Sequence, residues 1–166
     1  MSAATSVIVT AEEGYRITVD ERPPAQVYAL VIGLTLVVAG IAGFFYSASF
    51  SAGDGTERDA VLGILDVNGW HNLVHIASGA IGLFVAASYG GARIYALGLG
   101  AVYLVVAALG FIAGDGDEIL DLIPVNTEDN VLHLLIGIAG VGAGLATPAR
   151  EPSTTLKGSD PLRVSP

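Results

Sequence analysis

Four stretches of this chain carry no Asp, Glu, Lys or Arg: residues 23–50, 67–92, 94–114 and 130–149. A bilayer's hydrocarbon core is ~30 Å thick, and about 20 helical residues at 1.5 Å each cross it. Backbone groups in lipid must be satisfied internally, so stretches of this kind are helical. The expectation is an all-α membrane protein with four transmembrane helices, near 27–47, 68–89, 93–113 and 126–147. A soluble bundle is the alternative. A protein this small could not bury four such helices on every side.

The ends differ in character from this middle. The first 26 residues hold Glu12, Glu13, Arg16, Asp20, Glu21 and Arg22 and no apolar core. No cleavable signal peptide is expected, and the first span serves as its own insertion signal. Two β-branched runs, 6–10 and 15–19, flank Ala11-Glu12-Glu13-Gly14 and read as a cytoplasmic β-hairpin. A lone hairpin is marginal in water, and its edges invite a partner or a neighbouring copy. Residues 148–166, with Pro148, Pro152, Pro161 and Pro166, read as a flexible tail. The division is a tail at 1–26, a transmembrane domain at 27–147 and a tail at 148–166.

Charge sets orientation and excludes some partners. The net charge is −9 and there are no cysteines. Nucleic-acid binding lacks electrostatic support, and thiolate metal sites and disulfides are excluded. Arg16, Arg22, Arg93, Arg150, Lys157 and Arg163 fall at one end of the spans, and only Arg58 at the other. Basic residues mark the cytoplasmic side, so both termini are expected there, in a cell membrane. The loops with Asp54, Glu57, Asp59 and Asp66, and with Asp115, Asp117, Glu118, Asp121, Glu128 and Asp129, then face outward. Tyr28, Tyr89 and Tyr95 would sit at the inner boundary, and Tyr46, Phe50 and Trp70 at the outer one. Gly90-Gly91 reads as a tight inner turn.

Two apolar stretches open on the same phrase. Residues 67–75 read Val-Asn-Gly-Trp-His-Asn-Leu-Val-His, and 125–133 read Val-Asn-Thr-Glu-Asp-Asn-Val-Leu-His. Gly79 and Gly82 follow the first as Gly137 and Gly140 follow the second. The first and third spans also correspond, Tyr28-Ala29-Leu30 with Tyr95-Ala96-Leu97, Gly33 with Gly100, and Gly43-Phe44 with Gly110-Phe111. The expected unit is a two-helix hairpin present twice in parallel, at 27–89 and 93–147, about a pseudo-two-fold axis along the membrane normal. Asn68 and Asn126 suit helix N-caps. Asp129 follows Asn126 in a loose capping-box pattern. Asn68, Asn72, His75, Gly79, Gly82 and Ala86 alternate at spacings of four and three, as do Asn126, Asn130, His133, Gly137, Gly140 and Gly144. That is one seam per helix, and its small residues let helices approach closely.

The seam histidines admit several readings. In the structural one, Asn72 with His75 and Asn130 with His133 hydrogen-bond across helices and set the register. In the metal reading, His71 and His75 lie one turn apart, and the repeat adds Asp129 and His133. His71, His75, Asp129 and His133 would suit zinc or a similar divalent ion. The phrase lacks the glutamate of a zinc protease. His75 and His133 could also ligate a haem from both faces. A channel would draw cations to the acidic loops, but no carboxylate lies at midplane and no span is broken by proline. The cluster from Asp115 to Asp121 lacks the calcium-loop pattern and reads as solvated loop. Ser78 lies near His75 with no carboxylate to orient that histidine, so catalysis lacks support.

On those phrases, with Leu65-Asp66 before the first, the chain resembles the membrane family called domain of unknown function 4383, over roughly 28–146. The resemblance implies a four-span integral membrane protein and no particular activity. The leading reading is a non-enzymatic structural or accessory membrane protein, self-associating or held in a larger complex. The alternative is a metal- or haem-binding membrane protein.

Overall fold

The computed structural model describes residues 8–10, 16–18, 22–53 and 56–149. The expected C-terminal tail, from 150 onward, and Asp54 lie outside the described residues. The described order is β1 (Ile8–Thr10), β2 (Arg16–Thr18), α1 (Pro24–Gly43), β3 (Asp59–Val61), β4 (Leu65–Val67), α2 (Gly69–Val85), α3 (Tyr89–Ala113), β5 (Asp117–Ile119), β6 (Ile123–Val125) and α4 (Thr127–Ala146). Strands β1 and β2 pair antiparallel, Ile8 opposite Thr18 and Thr10 opposite Arg16.

Each helix starts where its sequence supplies a start. Pro24 opens α1, where its missing N–H costs nothing. Asn68 Oδ1 accepts from His71 N at 2.9 Å, and Asn126 Oδ1 from Asp129 N at 2.9 Å, capping α2 and α4. Ser88 Oγ accepts from Gly91 N at 3.2 Å and starts α3 four residues before the expected Arg93. Gly90-Gly91 is therefore the first turn of α3, and the connection is Ala86–Ser88. The expected span 68–89 shrinks to a 17-residue α2 ending at Val85. At the other end of the bundle's fourth helix, Thr147 Oγ1 donates to Ala143 O and accepts from Ala25 N, both at 2.9 Å, which ties α4 to α1.

Three helices are long and apolar enough to cross a membrane: α1, α3 and α4, with mean hydropathy 2.1, 2.3 and 1.5. The bundle is built small side in. Ala25, Ala29, Ala92 and Ala96 are fully buried, while Phe84 and Ile112 are 88% and 81% exposed. That inversion suits lipid, where close backbone packing replaces hydrophobic expulsion as the force between helices.

Helix α1 packs along α2, and α3 along α4. Glycines set both approaches. A methyl on Gly33 would stand 2.9 Å from Gly79 O, and one on Gly100 would stand 3.0 Å from Gly137 O. Methyls on Gly43 and Gly110 would collide with the side chains of Asn72 and Asn130 respectively. The two pairs are then joined crosswise. The Tyr28 hydroxyl donates to Ile136 O, and the Tyr95 hydroxyl to Ser78 O, each at 3.1 Å. The two rings lie 6.3 Å apart. Tyr28 and Tyr95 sit near the starts of α1 and α3 and are buried, each reaching inward across the bundle.

Beyond the helices, the acidic loops fold into two short hairpins. Strands β3 and β4 pair with Asp59 opposite Val67, and β5 and β6 with Asp117 opposite Val125. Strands β4 and β6 lie against each other. The four segments 59–61, 65–67, 117–119 and 123–125 close one end of the bundle, here called the hairpin end.

Candidate metal centre

The hairpin end is fixed by crossed asparagines. Each cap side chain that holds its own helix also reaches into the other hairpin's turn. Asn68 Nδ2 donates to Leu122 O at 2.7 Å, and Asn126 Nδ2 to Ile64 O at 2.6 Å. Asn68 is fully buried and Asn126 half-buried. One turn on, Asn72 Nδ2 donates to Ser47 O at 2.8 Å, and Asn72 and Asn130 are buried against Gly43 and Gly110. Further along the seam the structure buries Gly79, Gly82, Gly137 and Gly140. Neighbouring backbone or tyrosine atoms stand within 3.0 Å of where a side chain would begin at each.

Three histidines converge inside this frame. His71 and His133 are buried and His75 is half-buried. One ring nitrogen from each lies within 4.8 Å of the other two. Ring centroids are 4.4 Å apart for His71 and His75, 5.8 Å for His71 and His133, and 6.2 Å for His75 and His133. His71 Nδ1 lies 3.0 Å from Asp66 O. A carbonyl only accepts, so Nδ1 carries the proton and Nε2 presents its lone pair. That Nε2 is buried without a hydrogen-bond partner among the described residues, as is His133 Nδ1. Tyr103 stands edge-on to His133 at 5.2 Å, and its buried hydroxyl also lacks a partner among the described residues.

Of the four metal ligands read from the sequence, the structure gathers His71, His75 and His133 and sends Asp129 elsewhere. Asp129 Oδ2 accepts from Asp66 N at 3.0 Å, and the carboxylate also takes the backbone N–H of Asn126, so it braces β4 while closing the capping box. Sequence gives the reason for the asymmetry. The residue 58 positions after Asp66 is Pro124, which has no N–H, so the matching place in α2 has no amide to brace and holds His71. The haem reading fits poorly. His71 lies against His75 and Tyr103 against His133, where a macrocycle would need open space.

The other polar candidates are already engaged. Ser78 Oγ donates to Val74 O at 2.7 Å along its own helix, and is no nucleophile aimed at His75. Asp115 Oδ1 accepts from Thr127 N at 3.0 Å, and Glu118 pairs with Arg58 at 3.1 Å, so the acidic cluster is hairpin scaffold as well as solvated loop. Asp66 lies in β4 beside Arg58. Burial pushes its carboxyl above the ordinary carboxylate range, while Arg58, 3.7 Å away, pulls it back. Trp70 Nε1 donates to Phe50 O at 3.1 Å, and the two rings meet edge-on at 5.0 Å.

Sequence reasoning passed over Tyr103. Its signal was a mismatch: by the offset that pairs Tyr28 with Tyr95, Tyr103 pairs with Leu36, so one helix pair alone brings a hydroxyl to the histidines. Chemically, a neutral imidazole carries one N–H donor and one bare acceptor, and His71 Nε2 and His133 Nδ1 are buried with no hydrogen-bond partner among the described residues. A cation placed between the three rings would be coordinated by such nitrogens. Imidazole nitrogens suit zinc, copper, nickel and iron, and three leave a coordination position free.

Fold and site together define a helical protein of membrane type, with polar groups gathered at one end of an apolar bundle. The chain belongs to the family domain of unknown function 4383, whose family model matches residues 26–146. No curated protein matches it, and neither does any solved structure.

Proposed function

We propose that this is a four-span membrane protein, built from two tandem helix hairpins, that holds one transition-metal ion between His71, His75 and His133. The observation that carries the reading is the convergence of three ring nitrogens within 4.8 Å, with His71 Nε2 and His133 Nδ1 buried and unpartnered. A buried unpaired acceptor costs about 1–3 kcal/mol, which a bound ion would recover. Packing does not explain these rings. Crossed asparagines, crossed tyrosines and glycine seams already hold the helices, and each of those contacts comes in a matched pair. That pairing supports the duplicated-hairpin reading. Beyond the His71 Nδ1 contact to Asp66 O, it leaves His71 Nε2 and His133 Nδ1 with no structural partner among the described residues.

Helix α2 is the shortest proposed span, at about 25 Å. Arg16, Arg22, Arg93, Arg150, Lys157 and Arg163 lie toward the termini end and only Arg58 at the hairpin end. By the positive-inside rule the termini are cytoplasmic and the metal faces the outer side.

The test is zinc or cobalt titration of the purified protein and its single variants. The expected result is one ion per chain, with affinity reduced more than about 100-fold in each of His71→Ala, His75→Ala and His133→Ala. Removing partners outside the ligand shell usually costs about 10–100-fold, and a direct ligand costs more. Asp129→Asn should bind within a few fold of the natural chain. Unchanged affinity in the histidine variants would defeat the reading.

A further inference from the structure

The turns of the two outer hairpins share a costly feature. Leu62 and Leu120 both adopt left-handed backbone, at φ 54° and 57°, and are 78% and 81% exposed. That region is strained for a residue with a side chain, and a turn facing water would take Gly or Asn there. In both turns the place is given instead to a large apolar side chain left mostly exposed. Beside Leu62, the first hairpin overhangs a groove of about 500 Å³, lined by Val61, Leu62, Ile64 and Leu65 and by Val131 and Leu132 of α4. Thr127 and Glu128 stand at its polar margin. Val131 and Leu132 are each 43% exposed on a helix fit to cross a membrane, so the groove is continuous with the face that lipid would cover.

We propose that the first hairpin is an in-plane membrane anchor, and that its groove against α4 holds the acyl chain of a lipid from the adjoining leaflet. Immersion gives the exposed leucine an apolar surrounding, and burying that side chain offsets the turn's strain. The groove's size and largely apolar lining match those of sites for small amphiphilic molecules. The hairpin braced by Asn126 and Asp129 would then rest its tip on lipid while its base closes the bundle. This inference rests on the membrane reading and is independent of the metal.

The chain has no cysteine, so single substitutions give clean labels. Leu62→Cys, Ile64→Cys and Glu57→Cys, with Leu34→Cys on the outer face of α1 as a lipid reference, are labelled with bimane. Each is reconstituted in dioleoyl phosphatidylcholine with and without brominated acyl chains. Quenching at 62 and 64 should approach that at 34 and exceed that at 57 by threefold or more. Quenching at 62 and 64 no greater than at 57 overturns the anchor, as does disulfide cross-linking between copies at 62 without quenching, which would put a second chain in the groove. No quenching at 34 would overturn the membrane reading as well.

Discussion

The hairpin ends of α2 and α4 are built on one frame and finished with different chemistry. Both have an asparagine cap whose amide crosses to the other hairpin, a second asparagine against a glycine, and a histidine seven residues after the cap. At the third residue after the cap they part. In α4, Asp129 spends its carboxylate on an amide of β4. In α2, His71 faces an element whose matching amide is lost to Pro124, and its free nitrogen turns to the other two histidines. The lesson is that a matched framework makes a mismatch informative. Contacts present twice hold the bundle together, and those present once are candidates for function.

That contrast can be pressed at several points, beginning with the framework itself. Gly79→Ala should destabilise the fold by about 2–3 kcal/mol, because the added carbon would stand 2.6 Å from Gly33 O and backbone cannot yield as a side chain can. Gly98→Ala and Gly142→Ala, where nothing lies within 4 Å, should be neutral or up to about 1 kcal/mol stabilising. Equal losses at all three, measured by thermal or denaturant unfolding in detergent, would break the seam argument.

Next come the crossed caps. Asn68→Ala should cost about 2 kcal/mol, from the lost cap and the Leu122 carbonyl left unpaired. Asn126→Ala should cost less, about 1 kcal/mol, since its site is half-buried and water can replace the amide. The order of the two melting temperatures is the check. Smaller still, Tyr28→Phe and Tyr95→Phe should each cost about 1 kcal/mol, and equally, because their 3.1 Å bonds are counterparts. A large inequality would argue against a two-fold arrangement.

The smallest effect concerns Asp66. A carboxyl raised on folding holds its proton more tightly in the folded state. Its contribution is therefore complete below the ordinary carboxylate range and is lost as pH rises through the folded value. Asp66→Asn should raise the melting temperature slightly at pH 8 and little at pH 4. A fall at pH 8 would show that the pairing with Arg58 outweighs burial.

Much of this was legible in the sequence because it is local. Hydropathy marks the helices, asparagine marks two starts, and the repeated phrase marks the seams. Long-range reach was not legible. Nothing near Asn68 says that its amide finds Leu122, and nothing near Asp129 says that Asp66 N claims its carboxylate. That the Tyr28 and Tyr95 hydroxyls turn inward to the carbonyls of Ile136 and Ser78 has no local signal. General rules also misled where particulars overrode them. Gly90-Gly91 looks like a turn but lies within α3, because Ser88 caps the helix first. The outer hairpins look like loops, although 59–67 and 117–125 correspond at the common offset of 58, Asp59 with Asp117, Leu62 with Leu120 and Val67 with Val125.

The central claim is that three imidazoles meet at one ion. X-ray absorption on the metal-loaded natural chain tests it most directly. The account predicts a first shell containing three imidazole nitrogens at about 2.0–2.1 Å for zinc, falling to two in His71→Ala. A metal-loaded protein with no imidazole scattering, or with a shell unchanged in His71→Ala, would contradict it.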